Sequence, residues 1–330
     1  RDLHLSIRRQ RQMCIRDRFT KSATGGIVAP GGFSTSGAVN LANNITTTGT
    51  AVSIGGATTL SGPVTVASGA GAVTFTGAVD GAQTLTVNSG GTTTFNGTIG
   101  GGTPLTSLTT NATDTTAINS GGTVTTSGGQ TYNGAVTLGS ATSFAGTVGA
   151  FNNGINAAAN DLTLGFTTSN TLAGVINVNN LTVNTGAISL NGTLTTGGSQ
   201  AYNAPVTLAG TTTLASSGNQ AISLSNTLAG GGFGLTINTT GTTTLGGAAT
   251  GLLSLTTNVG GTTAINGGTL TTTGAQSFGD DVTVNADTTF TGVGVTFGGT
   301  LNSLNAAGRN VTVADSGTTT FTGAVGTTQS

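Results

Sequence analysis

A short motif recurs four times along this 330-residue chain, at intervals of roughly 75 residues. Each copy opens with an apolar residue, a threonine and a further residue, and about ten positions later it reaches another apolar residue. The four copies start at Leu85, Leu162, Leu235 and Val311. A chain that repeats itself on this scale folds as a stack of equivalent units, because one unit alone does not bury its own apolar residues.

Each long repeat divides into about three shorter units of roughly 20 to 29 residues, the length of one turn in a stacked solenoid. A second apolar anchor follows about ten residues after each opening, which predicts two short strands per turn. The openings of these units are Val64, Leu85, Leu108, Val136, Leu162, Leu181, Val206, Leu235, Leu255, Val282 and Val311.

Strands are predicted because apolar residues alternate with threonine, as in Val64-Thr65-Val66. Threonine is β-branched and suits a pleated sheet, whereas good helix formers are scarce, with no glutamate, one lysine and one methionine. Glycine pairs and Asn-Gly pairs, such as Gly90-Gly91 and Asn96-Gly97, stand between the strands. They supply the positive φ angles that sharp corners require.

Two architectures fit short strands joined by such corners. Asn-Gly between strands also forms hairpins, so an antiparallel sandwich is one alternative. Equivalent residues recur in every unit, however, and stack at about 4.8 Å in a parallel arrangement. We therefore predict an all-β fold, a parallel β-solenoid of about 11–12 turns, over a disordered chain of similar composition.

The first twenty residues differ from the rest of the chain. Six of the eight basic residues lie there, together with His4, Met13 and Cys14, the only residues of their types. The segment Gln12–Asp17 resembles the translated transposon end of sequencing-library adapters. We interpret residues 1–20 as an artefactual or disordered leader, with a basic arm that binds nucleic acid or lipid as the alternative.

Residues 21–330 are predicted to be one repetitive solenoid fragment, without a polar capping unit at either end. This part holds two cations, Lys21 and Arg309, against seven carboxylates, a net charge of −5. Binding to phosphates requires clustered lysine and arginine, so nucleic acid is excluded as a partner. No run of about 18 apolar residues is present, so no membrane-spanning segment is predicted.

Groups suited to catalysis are almost absent after residue 20, since this part has no histidine, cysteine or glutamate. General acid and base chemistry would depend on aspartate alone, and the two cations are far apart in sequence. We predict that the chain is not an enzyme and holds no cofactor.

The densest carboxylate group, Asp280, Asp281 and Asp287, is the one candidate for a metal site, with calcium as the ion. Calcium-binding β-rolls carry aspartate in every repeat. The matching positions here are Asn133-Gly134 and Asn203-Ala204. The pattern therefore favours a solvated corner and no metal.

Three segments align on a glutamine that is followed two places later by an aromatic residue. They are Val124–Leu138 with Gln130 and Tyr132, Leu194–Leu208 with Gln200 and Tyr202, and Leu270–Val284 with Gln276 and Phe278. We predict that these pairs are a stacking and corner device inside the repeat. The pattern resembles the β-strand repeats of giant bacterial surface proteins of the filamentous-haemagglutinin and autotransporter-passenger type, and the resemblance covers nearly everything after residue 24.

The resemblance implies a right-handed β-helix that Gram-negative bacteria export and display at the cell surface. It implies no catalytic residues. The expected function is a non-enzymatic extracellular scaffold, the stalk or passenger of an adhesin, whose partner is a host or surface ligand. The alternative is a self-assembling surface-layer or amyloid-like fibre protein, whose partner is its own copy.

Overall fold

The computed structural model describes residues 20–21, 25–111, 115–173, 176–304 and 308–326. The predicted leader lies outside these residues, apart from Thr20. Every regular element in the described part is a β-strand, and together they form a parallel β-solenoid, which confirms the predicted fold class. Among the same residues, no helix has the length and apolar character that a membrane crossing requires. The chain divides into two compact units, Arg1–Phe151 and Asn152–Ser330.

Short strands make up the first unit, most of them two to six residues long. They are β1 Thr20–Lys21, β2 Ile27–Val28, β3 Phe33–Thr35, β4 Val39–Leu41, β5 Ile45–Thr46, β6 Val52–Ile54, β7 Thr58–Leu60, β8 Val64–Gly69, β9 Val73–Phe75, β10 Val79–Asp80, β11 Thr84–Ser89, β12 Thr93–Phe95, β13 Ser107–Thr110, β14 Thr116–Ile118, β15 Gly122–Thr125, β16 Gln130–Tyr132, β17 Val136–Leu138 and β18 Thr142–Phe151.

The second unit adds several longer strands that bend round a corner of the solenoid. Its strands are β19 Ile155–Asn156, β20 Leu162–Ala173, β21 Ile176–Val178, β22 Leu181–Val183, β23 Ala187–Thr196, β24 Gln200–Tyr202, β25 Val206–Ser216, β26 Ile222–Leu224, β27 Leu228–Ala229, β28 Gly234–Asn238, β29 Thr242–Leu245, β30 Ala249–Leu252, β31 Ser254–Thr257, β32 Thr262–Ile265, β33 Thr269–Thr272, β34 Gln276–Phe278, β35 Asp281–Val284, β36 Thr288–Gly292, β37 Val295–Phe297, β38 Leu301–Ser303, β39 Val311–Asp315 and β40 Thr320–Phe321.

Three columns of parallel strands form the sides of the solenoid in each unit. In the first unit one column runs β2, β5, β8, β11, β13, β16, a second runs β3, β6, β9, β12, β14, β17, and a third begins β4, β7, β10. In the second unit the column β28, β31, β34, β37, β40 is typical. Pairing is parallel throughout these columns, as predicted, while β1 joins β2 in antiparallel fashion.

Two details of the prediction need correction. Each turn contributes three strands and not two. The third strand was not predicted because its residues often lack the apolar pair that marks the other two, as in Thr58–Leu60 and Val79–Asp80. The structure has about 14 turns, more than the predicted 11–12. The turns that Ile27–Leu60 form precede Val64, the first opening recognised in the sequence.

Register places like residues on like residues. Leu85 pairs with Val64 in the turn before and with Leu108 in the turn after. Along β8 the burial alternates, so that Val64 and Val66 face the interior while Thr65 is half-buried. The core is therefore a set of apolar columns inside each unit, and the threonines that alternate with apolar residues in strands such as β8 lie nearer the surface.

Aromatic rings continue this stacking in the core of both units. Phe75 and Phe95 lie parallel with their centroids 5.1 Å apart. In the second unit Phe297 stacks on Phe278 at 5.3 Å and meets the edge of Phe290 at 5.1 Å. These separations are those at which aromatic pairs are attractive, so each turn stabilises the next beyond simple area burial.

Glycine forms a column of its own at one corner of the first unit. A Cβ atom built on Gly56 would lie 2.3 Å from the carbonyl carbon of Gly37, and one on Gly77 would lie 2.4 Å from that of Gly56. Gly97 meets Gly77 in the same way, at 2.2 Å. Successive turns approach so closely here that the corner accepts no side chain.

Candidate functional site

Carboxylates are the main reactive groups after the leader, and the structure uses all of the described ones in the same way. Each of these aspartates accepts a hydrogen bond from a backbone N–H one turn away. The pairs are Asp80 with Gly102, Asp161 with Asn180, Asp280 with Gly261, Asp281 with Thr300, Asp287 with Asn310, and Asp315 with Gly294. We call these contacts inter-turn carboxylate bonds. Their distances lie between 2.7 and 3.1 Å.

Hydrogen bonds, these contacts among them, stabilise the ionised form of several of these groups. The side-chain amide of Asn179 is the main cause of a lowered pKa at Asp161. The backbone N–H of Thr300 lowers the pKa of Asp281, and backbone N–H donors, Gly317 first and then Gly294, lower that of Asp315 to about 2. A carboxylate held in this way stays ionised at neutral pH and does not act as a general acid.

The three candidate calcium ligands do not converge. Asp280 bonds back to the preceding turn, through Gly261 N–H at 2.9 Å and Thr263 Oγ1 at 3.2 Å. Asp281 and Asp287 bond forward, to Thr300 and Asn310 respectively. The described residues include no group of three or more histidine, cysteine, aspartate or glutamate side chains placed to share a metal ion.

Asp281 and Asp287 are exposed, whereas Asp280 is buried, so the predicted solvated position is wrong for Asp280. The Asp280 side chain is only 1% exposed. In the aligned repeats its position is taken by Gly134 and Ala204, both buried, so this carboxylate replaces a small residue that faces inward. Loss of solvent raises the pKa of Asp280, against the opposing effect of its two hydrogen bonds.

The Gln and aromatic pairs form a fully buried polar unit. The Nε2 of Gln200 donates to the carbonyl oxygens of Leu194 at 3.2 Å and Ala215 at 2.8 Å. Its Oε1 accepts the hydroxyl hydrogen of Tyr202, with 2.8 Å between the oxygens. The glutamine amide thus ties its own strand to a corner and to the next turn, and the tyrosine satisfies the remaining acceptor.

This unit recurs with one change in the third copy. Gln130 and Tyr132 repeat the geometry, with an O–O distance of 2.9 Å. Gln276 keeps the amide donor bonds, including one of 2.9 Å to Thr291 O, but Phe278 has no hydroxyl. Gln276 Oε1 is consequently buried without a donor among the described residues.

Fold and contacts together define a parallel β-solenoid whose polar side chains mainly hold one turn to the next. The sequence predicted such a structural role for the Gln and aromatic pairs, but not for the aspartates that join the turns. A comparison with known protein families, curated proteins and solved structures finds no match to this chain.

Proposed function

We propose that the chain is a non-enzymatic, repetitive extracellular scaffold, the stalk or passenger of a bacterial surface adhesin. The single observation that supports this most is the set of inter-turn carboxylate bonds. All described carboxylates are engaged in joining turns, so the groups that would carry out acid and base chemistry serve the length and rigidity of the solenoid.

The outer surface supports the same proposal. Thr213, Thr236 and Thr256 pair in register on successive turns of the second unit, and their side chains face outward. Uncharged columns of this kind recur with the repeat and leave few charged groups on the surface. Such a surface suits a spacer that presents a distant binding region to a host or surface ligand.

Immunolabelling of the source cells tests the proposal. An antibody raised against the purified chain should label intact cells as strongly as permeabilised ones, and protease treatment of intact cells should remove the label. A cytoplasmic protein released from lysed cells serves as the control for leakage. Labelling that appears only after permeabilisation would contradict display at the cell surface.

A self-assembling surface protein is the second candidate, favoured by apolar residues on the outside of the second unit. Leu253 is 51% exposed and Val293 is 49% exposed, although the rest of the surface is rich in threonine and glycine. Fibres that grow from a preformed seed, together with a thioflavin signal, would support this candidate over the first. A solution of the purified chain that stays free of fibres would count against it.

A further inference from the structure

Apolar residues form a row at one exposed corner of the second unit. Two copies of this row are complementary when they lie antiparallel. Four residues lie on consecutive turns at this corner, in the order Phe233, Leu253, Gly274, Val293. Their backbones form one hydrogen-bonded row, in which Leu253 N–H donates to Phe233 O at 2.9 Å, Gly274 to Leu253 at 2.8 Å, and Val293 to Gly274 at 3.0 Å. We call this row the apolar seam.

The side chains of the seam are partly exposed to solvent. Phe233 is 36% exposed, while Leu253 and Val293 are 51% and 49% exposed. Since the four turns are spaced at about 4.8 Å, the seam extends for roughly 14 Å. It is a ridge of two large side chains, a gap at Gly274, and a third side chain.

We propose that the apolar seam is a self-association surface, on which a second copy of this chain packs in antiparallel orientation. Reversal of the row places Leu253 of each copy over Gly274 of the other, and Phe233 opposite Val293. The contact is then isologous, because the same residues serve both copies about one two-fold axis. The side chain of one copy fills the gap left by the glycine of the other.

Charge also favours a second copy as the occupant. None of the four seam residues is charged, and the Asp315 carboxylate accepts a hydrogen bond at 2.7 Å from the N–H of Gly294, the residue after Val293. Two copies with the same negative net charge thus meet on an uncharged surface. Three apolar side chains per copy bury less than about 1,200 Å², which is typical of a weak and reversible contact.

This inference goes beyond the proposed function, because it concerns the purified chain and holds wherever the chain is located. Sedimentation equilibrium of the full chain, from about 10 μM to 1 mM, is the test. We expect reversible dimers in the upper part of this range. Monomers at every concentration would overturn the proposal.

Charge substitution at Leu253 makes the test specific to the antiparallel geometry. The two copies of residue 253 lie close to the two-fold axis, so Leu253→Asp or Leu253→Lys alone should weaken dimerisation about tenfold or more. An equal mixture of the two variants should restore it. Restoration also shows that both variants are folded. Failure of the mixture to associate would contradict the antiparallel arrangement.

Two further variants locate the contact. Val259 is 73% exposed and lies two residues beyond the far end of strand β31, so Val259→Ser should leave dimerisation unchanged. Val325 is 55% exposed on the last described turn, and Val325→Asp should also have no effect. Loss of the dimer in either variant, with Leu253→Asp still dimeric, would assign the contact to another surface. None of these results affects the immunolabelling outcome.

Discussion

At the level of single residues, the three copies of the buried Gln and aromatic unit differ by one hydroxyl group, which two copies have and the third lacks. Tyr132 and Tyr202 each satisfy a glutamine oxygen, whereas Phe278 leaves Gln276 Oε1 without a donor. A buried acceptor that lacks a partner costs about 1–3 kcal/mol. The second unit thus contains a satisfied copy and an unsatisfied copy of the same structure.

Phe278→Tyr should therefore raise the free energy of unfolding by about 1 kcal/mol, because the new hydroxyl supplies the missing donor. The matched change Tyr202→Phe should lower it by about 1–2 kcal/mol, since it leaves Gln200 Oε1 unsatisfied. Urea unfolding of the two variants measures both values. Equal effects of the same sign would show that the hydroxyl does not contribute through this hydrogen bond.

Burial of Asp280 leads us to expect an unusual pH dependence of the stability of the chain. The folded-state pKa of Asp280 is raised by burial, so its contribution to stability is full below the unfolded pKa of about 3.9 and is lost as pH rises through the folded pKa. Asp280→Asn keeps an acceptor for Gly261 N–H and a donor for Thr263 Oγ1. It should raise the melting temperature at pH 7 by about 2–4 °C and leave it unchanged at pH 3.

The neighbouring Asp281 is the control for this pH series. Its pKa is lowered by the Thr300 N–H, so its stabilising contribution is present above the unfolded pKa and is lost as pH falls through the folded one. Asp281→Asn should thus lower the melting temperature at pH 7. A rise in both variants would mean that removal of charge, and not burial, explains the effect at Asp280.

At the level of strands and corners, the glycine column in the first unit limits how the turns approach each other. A Cβ on Gly77 would lie 2.4 Å from a backbone atom of the preceding turn, whereas one on Gly37, at the start of the column, meets nothing within 4 Å. Both positions have φ angles that alanine adopts. The two glycines therefore differ in whether a neighbouring turn lies against them.

Gly77→Ala should therefore destabilise the chain by about 1–3 kcal/mol through overpacking, and Gly37→Ala should be neutral or slightly stabilising. Thermal unfolding followed by far-ultraviolet circular dichroism measures both. Equal losses at the two positions would indicate that glycine is needed there for its flexibility and not for the close approach of turns.

Elements of this chain were predictable where pattern and burial agree. The columns of Val64, Leu85 and Leu108 follow directly from alternation and repeat length, because outward threonine and inward apolar residues admit one parallel register. The third strand of each turn was missed, since residues such as Val79–Asp80 carry too little apolar pattern on their own. Neighbouring turns, and not local preference, place these residues in strands.

At the scale of the whole molecule, the carboxylates show the limit of sequence analysis. Asp281 and Asp287 were predicted to lie at a corner, but their partners Thr300 and Asn310 belong to a different turn. The number of residues in a turn determines which backbone N–H faces which carboxylate, and this number varies along the chain. For the same reason the burial of Asp280, which bonds to Gly261 in the preceding turn, was not predicted.

Calcium provides a test at this scale. Because Asp280, Asp281 and Asp287 bond to separate turns, addition of about 5 mM calcium to the chelator-treated chain should leave the melting temperature unchanged. Magnesium at the same concentration controls for ionic strength. A rise specific to calcium would show that the carboxylates leave their amide partners to share the ion.

The inter-turn carboxylate bonds have a consequence for how this sequence tolerates change. On the acceptor side, each bond needs a side-chain oxygen, which aspartate supplies here and which asparagine supplies in other turns, as Asn258 Oδ1 does for Thr239 N–H. On the donor side, it needs only a backbone N–H, which every amino acid except proline supplies. The present donors are as different as Gly102, Asn180 and Thr300. Substitution of the donor residue by any amino acid except proline therefore keeps the donor group. Repeats can diverge in sequence at these positions while the turns remain joined.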